Sequence, residues 1–167
     1  RQRQMCIRDR FVGGLTNAAF NEVDRHCLRS VIGCKSTALI HDMPSAVVQE
    51  SPQEAGGRVH RCSYASLLKA STAVAAFLAN VCGCRVGDRM IMIGPNTLQQ
   101  AVWINAAKRA AIPYSCASSD TPARVIAERA IALNARIVCI FEGDGHASKR
   151  ENDNDGLLLT ALRRIRK

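Results

Sequence analysis

Aromatic residues make up only 4% of this 167-residue chain. The scarcity matters because a net charge of +9 invites a nucleic-acid reading, which requires basic residues interleaved with aromatics on one face. Residues 1–10 carry +3 and residues 163–167 carry +4, which leaves +2 for everything between them. The body is close to neutral, so nucleic acid is not the expected partner. No uncharged stretch reaches membrane-spanning length without Pro, Asn or Gln interrupting it, and no apolar signal segment opens the chain. A soluble intracellular protein is expected, without a membrane partner, cytoplasmic by default and mitochondrial or in another organelle as the alternative. Cys-x-x-Cys is missing too, although there are eight cysteines. The close pair Cys82 and Cys84 has no second pair at zinc-ligand spacing. Most cysteines read as small buried hydrophobes in a reducing compartment, with Cys116 and Cys139 inside apolar strands.

What is present is an ordinary globular composition, 47% apolar and 22% charged, long enough for one domain. The organising stretch is Met90-Ile91-Met92-Ile93, entered through Gly87-Asp88 and left through Gly94-Pro95-Asn96. A short unbroken apolar run between turns fits a strand buried on both faces. Helical patterns flank it, from Ser63 to Val81 and from Thr97 to Ala111. Ser63 is an expected N-cap for the first, with Leu67, Ala70, Val74, Leu78 and Val81 on one face down to Gly83. Asn96 is the expected cap of the second, and Lys108-Arg109 complement its C-terminal dipole. Further strands are expected at Ile112 to Ala117 and Arg136 to Phe141. Between them Thr121 and Pro122 read as cap and first residue of a helix carrying Val125, Ile126, Ala130 and Leu133. Alternation of this kind gives α/β architecture with parallel β-α-β units.

In such sheets ligands bind beyond the carboxyl ends of the strands. Three exits therefore form the candidate edge: Gly94, Pro95 and Asn96; Ser118, Ser119 and Asp120; and Glu142 to His146. Upstream, Gly13-Gly14 marks a turn, and Thr16 or Asn17 caps a short helix running through Leu28. Asp24, Arg25 and His26 read as an anchored surface helix with a local ion pair rather than as catalytic groups. Ala38 to Ile40 and Arg58 to Arg61 read as a short antiparallel pair with a long connection. His41 and His60 would adjoin each other only through that pairing, which the sequence does not establish, so metal binding there is a guess from residue type alone and no metal ligand is assigned. Residues 1–10 include Met5-Cys6-Ile7-Arg8-Asp9, which looks like a translated sequencing-adapter remnant and is set outside the fold; an organelle transit peptide is the alternative. Residues 151–167 read as a polar linker and a basic, leucine-rich helix at a truncated end.

Phe11-Val12-Gly13-Gly14, Thr16-Asn17, Phe20-Asn21 and Val23-Asp24-Arg25-His26 open a series of matches. Ala38 to Ile40, Ser63-Tyr64, Leu67-Leu68, Gly87-Asp88-Arg89, Pro95, Tyr114-Ser115 and Glu128-Arg129 continue it. In that order, from residue 11 to about 149, the chain resembles the N-terminal part of an AMP-forming acetyl-CoA or propionyl-CoA synthetase, an adenylate-forming acyl-CoA ligase. Ala106-Ala107-Lys108-Arg109 resembles the propionyl-CoA synthase branch, which includes multifunctional enzymes with a ligase part.

The resemblance implies a partial N-terminal domain over residues 11–150 and chemistry in two steps. A short-chain carboxylate such as acetate or propionate attacks ATP to give an acyl-adenylate and pyrophosphate, with Mg; CoA then displaces AMP to form the thioester. Adenylation requires a Gly/Ser/Thr-rich loop with a Lys to hold the phosphates. Ser115-Cys116-Ala117-Ser118-Ser119 has neither the glycines nor the Lys. The family's catalytic Lys also has no counterpart here. No catalytic residue is therefore expected in this chain, which would be inactive alone and would work with the remainder of a longer one. Only CoA contacts are implied: Lys149 sits at a basic position of the family motif, beside Arg150. A family Arg falls at His146, and the family's Gly-Gly turn falls at Ser119-Asp120, where an acidic residue opposes phosphate. The reading from a different class is a standalone α/β module that binds a nucleotide or CoA at the same edge without catalysis.

Overall fold

The computed structural model describes residues 15–43 and 58–141. The expectations for residues 1–10, Glu142 to His146, Lys149, Arg150 and 151–167 lie outside the described residues. The fold is mixed α/β, with a parallel three-stranded sheet and a separate antiparallel pair.

The apolar run that organises the sequence also organises the core. Strand β3 (Met90–Ile93) lies between β4 (Tyr114–Ala117) and β5 (Ile137–Ile140), parallel to both. Its alternate side chains enter different layers, as period-2 geometry requires. Met90 and Met92 pack with Leu78, Ala107, Ile112 and Phe141. Ile91 and Ile93 pack with Ala117, Ile126, Ala130 and Ala135. All four strand residues are at most 1% exposed. Burial of each such side chain contributes about 1.5–3 kcal/mol, which anchors β3 on both of its faces.

The first layer is built by α3 (Tyr64–Asn80) and α4 (Leu98–Arg109), and the second by α5 (Ala123–Leu133). Helices thus cover both faces of the sheet. Ser63 caps α3 as expected, its Oγ accepting from the Ser66 N–H at 3.2 Å. Helix α3 stops earlier than its apolar spacing suggests, because Val81 is its exposed C-cap and Gly83 turns the chain with φ +62°.

Three sequence expectations shift. Thr97, not Asn96, caps α4: its extended backbone lets Oγ1 accept from the Gln100 N–H at 3.2 Å, while its own N–H bonds the Pro95 carbonyl at 2.9 Å. That tight turn moves the helix start one residue downstream. Helix α5 begins at Ala123 with Pro122 in the capping position, because the Thr121 N–H is used in a turn to the Ser118 carbonyl at 3.0 Å. Strand β4 begins at Tyr114 rather than Ile112. Pro113 has no N–H for a ladder, and the Ile112 N–H closes α4 on the Ala107 carbonyl at 2.9 Å.

The amino-terminal segment is tied to α4. Asn17 Oδ1 accepts from the Phe20 N–H at 3.3 Å, opening a helical segment that passes through a π-helical turn at Phe20–Asp24 into α1 (Arg25–Arg29). A second short helix, α2 (Val31–Lys35), follows and was not expected. It folds tightly onto α1, since a Cβ on Gly33 would lie 2.5 Å from the His26 carbonyl oxygen. Strands β1 (Thr37–Met43) and β2 (Arg58–Ser63) pair antiparallel, extending beyond the short runs read from sequence. Val23, Cys62 and Leu67 form the core beneath them, with Leu98 and Val102 of α4 packed alongside.

Candidate functional site

Parallel register sets the candidate edge. Ile93 aligns with Ala117 on one side and Ile140 on the other, so all three strand exits open at the same end of the sheet. Pro95, Asn96, Ser118, Ser119 and Asp120 are therefore brought together on one edge as the sequence anticipates. Helices α4 and α5 also begin there, directing the positive ends of their dipoles toward it.

The centre of this edge is tightly closed. Gly94 has φ +152°, and a Cβ there would meet the Phe141 Cβ and carbonyl oxygen, each at 2.7 Å. The Gly94 N–H bonds the Ala117 carbonyl at 3.0 Å, and the Phe141 N–H bonds the Ile93 carbonyl at 2.8 Å. Glycine is required by that approach, and the backbone rather than a side chain forms the floor.

The loops themselves are turn-like. Ser118 Oγ accepts from the Asp120 N–H at 3.3 Å, and Asp120 is exposed. Asn96 is exposed and Pro95 half-buried. Neither 94–97 nor 118–122 contains Lys or Arg, so these loops offer no cation to a phosphate, and exposed Asp120 opposes one. These two loops therefore supply no side-chain cation for CoA phosphates.

The polar geometry with the closest ion pairing is elsewhere. Asp24 and Arg109 form a bidentate pair, with side chains each 19% exposed. Lys108 Nζ reaches Glu22 at 2.6 Å, and the Asn17 side-chain amide donates to the Lys108 and Arg109 carbonyls at 3.3 and 3.2 Å. The ion pair expected to be local to the first helix therefore spans 85 residues of sequence. Lys108 and Arg109, besides complementing the helix dipole, receive the amino-terminal segment. His26, the third residue of that motif, stacks on Tyr64 with ring centroids 4.5 Å apart. Asp24 and His26 are thus engaged in structural contacts, while Arg25 is exposed.

A second concavity lies at the opposite end of the sheet. Gly87, Asp88, Arg89, Asn134, Ala135 and Arg136 line a cleft of about 250 Å³. Asp88 accepts from the Arg85 N–H at 2.7 Å and from Arg136 at 2.6 Å. Those contacts, the backbone N–H first, hold its carboxyl below the usual range. The sequence marks Gly87-Asp88-Arg89 as a turn into β3 and as a family match, and the cleft appears only when Asn134 to Arg136 fold against it.

Cysteine chemistry is quiet. The seven described cysteines are free. Cys139 is half-buried, donates to Met90 Sδ at 3.4 Å, and is pushed up to about 11 by burial. Cys27 is likewise pushed up to about 11, burial again being the first cause. Cys116 is exposed rather than buried, because β4 is an edge of the three-stranded sheet. Among the described residues, no three His, Cys, Asp or Glu side chains are grouped to hold a metal ion, and no helix is long and apolar enough to cross a membrane. No protein-family model matches the chain, and no curated protein matches it.

Proposed function

We propose that the chain is the amino-terminal part of an AMP-forming short-chain acyl-CoA synthetase, acting on acetate or propionate with ATP, Mg and CoA. The reading rests on the sequence resemblance, and one structural observation carries it further. The block Phe11 to His26, which resembles this family most specifically, docks through Asn17, Glu22 and Asp24 on Lys108 and Arg109, within the stretch Ala106 to Arg109 that resembles the propionyl-CoA synthase branch. Two separately matched motifs thus form one joint, as expected if both descend from a common scaffold.

The sheet adds support of a coarser kind. Helix-covered parallel sheets are suited to nucleotide chemistry at their carboxyl edge. Strand β5 is apolar on both faces, yet it is an edge of the described sheet and Ile140 is 55% exposed to solvent. A strand of that composition is at home inside a wider sheet. In this reading the described residues are scaffold, and the phosphate-holding loop and catalytic Lys belong to further residues of the same enzyme.

ATP–pyrophosphate exchange tests the assignment. An enzyme carrying this segment should catalyse exchange dependent on acetate or propionate, whereas the 167-residue chain should not. Calorimetry of the chain with CoA and with AMP separates the alternative: micromolar binding of either would replace the ligase reading with a standalone binding module.

A further inference from the structure

We propose that His41 and His60 form a two-histidine site for a divalent transition-metal ion of the zinc, nickel or copper(II) class. The two residues are direct partners in the antiparallel ladder of β1 and β2. Directly opposed residues share a face and place their Cβ atoms roughly 4.5–5.5 Å apart, a separation two imidazoles can close around one ion at about 2.0–2.1 Å per nitrogen. Imidazole is the common protein ligand for ions of this class.

The neighbouring pair identifies the face. Leu39 opposes Cys62 two positions along, so these residues and the His pair point to the same side. Cys62 is buried with Val23 and Leu67, and Leu39 packs against that cluster. The histidines continue the row outward to where the core ends, His41 half-buried and His60 exposed. An ion there is shielded on one side by the core margin and reached by water on the other. With no third side-chain ligand grouped among the described residues, water or an external donor fills the remaining positions.

The consequence is mechanical. A one-residue slip of the ladder would turn the two imidazoles to opposite faces, so the ion binds only the native register and favours it. A metal site here pins two strands whose paired histidines are 19 positions apart in sequence.

Thermal unfolding of the full chain with and without nickel chloride provides the test, alongside His41→Asn and His60→Asn. Cysteines elsewhere also bind such ions, so the comparison across variants decides. Saturating nickel should raise the wild-type midpoint by several degrees, and each variant should lose that rise while melting normally without metal. A variant that fails to fold leaves a second readout on the wild-type chain: the ring protons of two histidines should broaden together at substoichiometric copper(II). An equal rise in the variants, no rise in the wild type, or broadening of only one of the two rings would overturn the proposal.

Discussion

At the scale of single residues, charge pairs differ in weight because their burial differs. Asp24 and Arg109 exchange two hydrogen bonds at 19% side-chain exposure, whereas Glu22 in the neighbouring pair is 49% exposed. Replacing either partner of the first pair leaves a poorly solvated charge, so Asp24→Asn or Arg109→Ala should each cost about 2 kcal/mol in urea melts. A double-mutant cycle should return a coupling of about 1 kcal/mol or more, while Glu22→Gln should change stability by about 0.5 kcal/mol or less. Arg109 Nε is buried without a hydrogen-bond partner among the described residues, a desolvation cost that the two bonds to Asp24 offset. Asp88 responds to pH. Its folded carboxyl lies below the ordinary value, so its contribution is present above about pH 4 and disappears as pH falls through the lower folded value. Asp88→Asn should flatten that acid limb of the stability curve; an unchanged limb would mean the Arg85 and Arg136 contacts carry no linkage.

At the scale of elements, the cap of α4 separates what pattern reading could reach from what it could not. Asn96 and Thr97 are both good cap residues, and their order in sequence favours neither. The choice is made by the Thr97 N–H to Pro95 carbonyl bond, a local closure that composition does not encode. Thr97→Ala should therefore destabilise the chain by about 1 kcal/mol, and Asn96→Ala should stay within about 0.5 kcal/mol, as read by chemical denaturation. The sheet strands were legible because Met90 to Ile93 has no polar residue to orient it toward solvent, and both faces are in fact filled. The antiparallel pair was legible as two short β-like runs, but its register was not. Only the ladder shows that His41 meets His60. Helix α2 escaped notice because five residues are too few for a hydrophobic period, and its position depends on the missing Cβ of Gly33 against His26.

At the scale of the whole molecule, the carboxyl edge was legible as a place but not as a binding surface. Parallel order sends Pro95, Asn96, Ser118, Ser119 and Asp120 to one end, a consequence of topology alone. Whether such an edge holds phosphate depends on cations and open backbone donors, and the two described loops carry no cation. The ion pairs joining the amino-terminal segment to α4 were illegible as a joint because their partners lie 85 and 86 residues apart. That joint ties the segment to α4, one of the helices that cover the sheet. Under the proposed ligase reading, adenylation falls to residues of a longer enzyme. Reading the coding sequence downstream of Lys167 tests this most directly. A Gly/Ser/Thr-rich loop ending in Lys, in frame, is the predicted result; a stop codon immediately after Lys167 would contradict it.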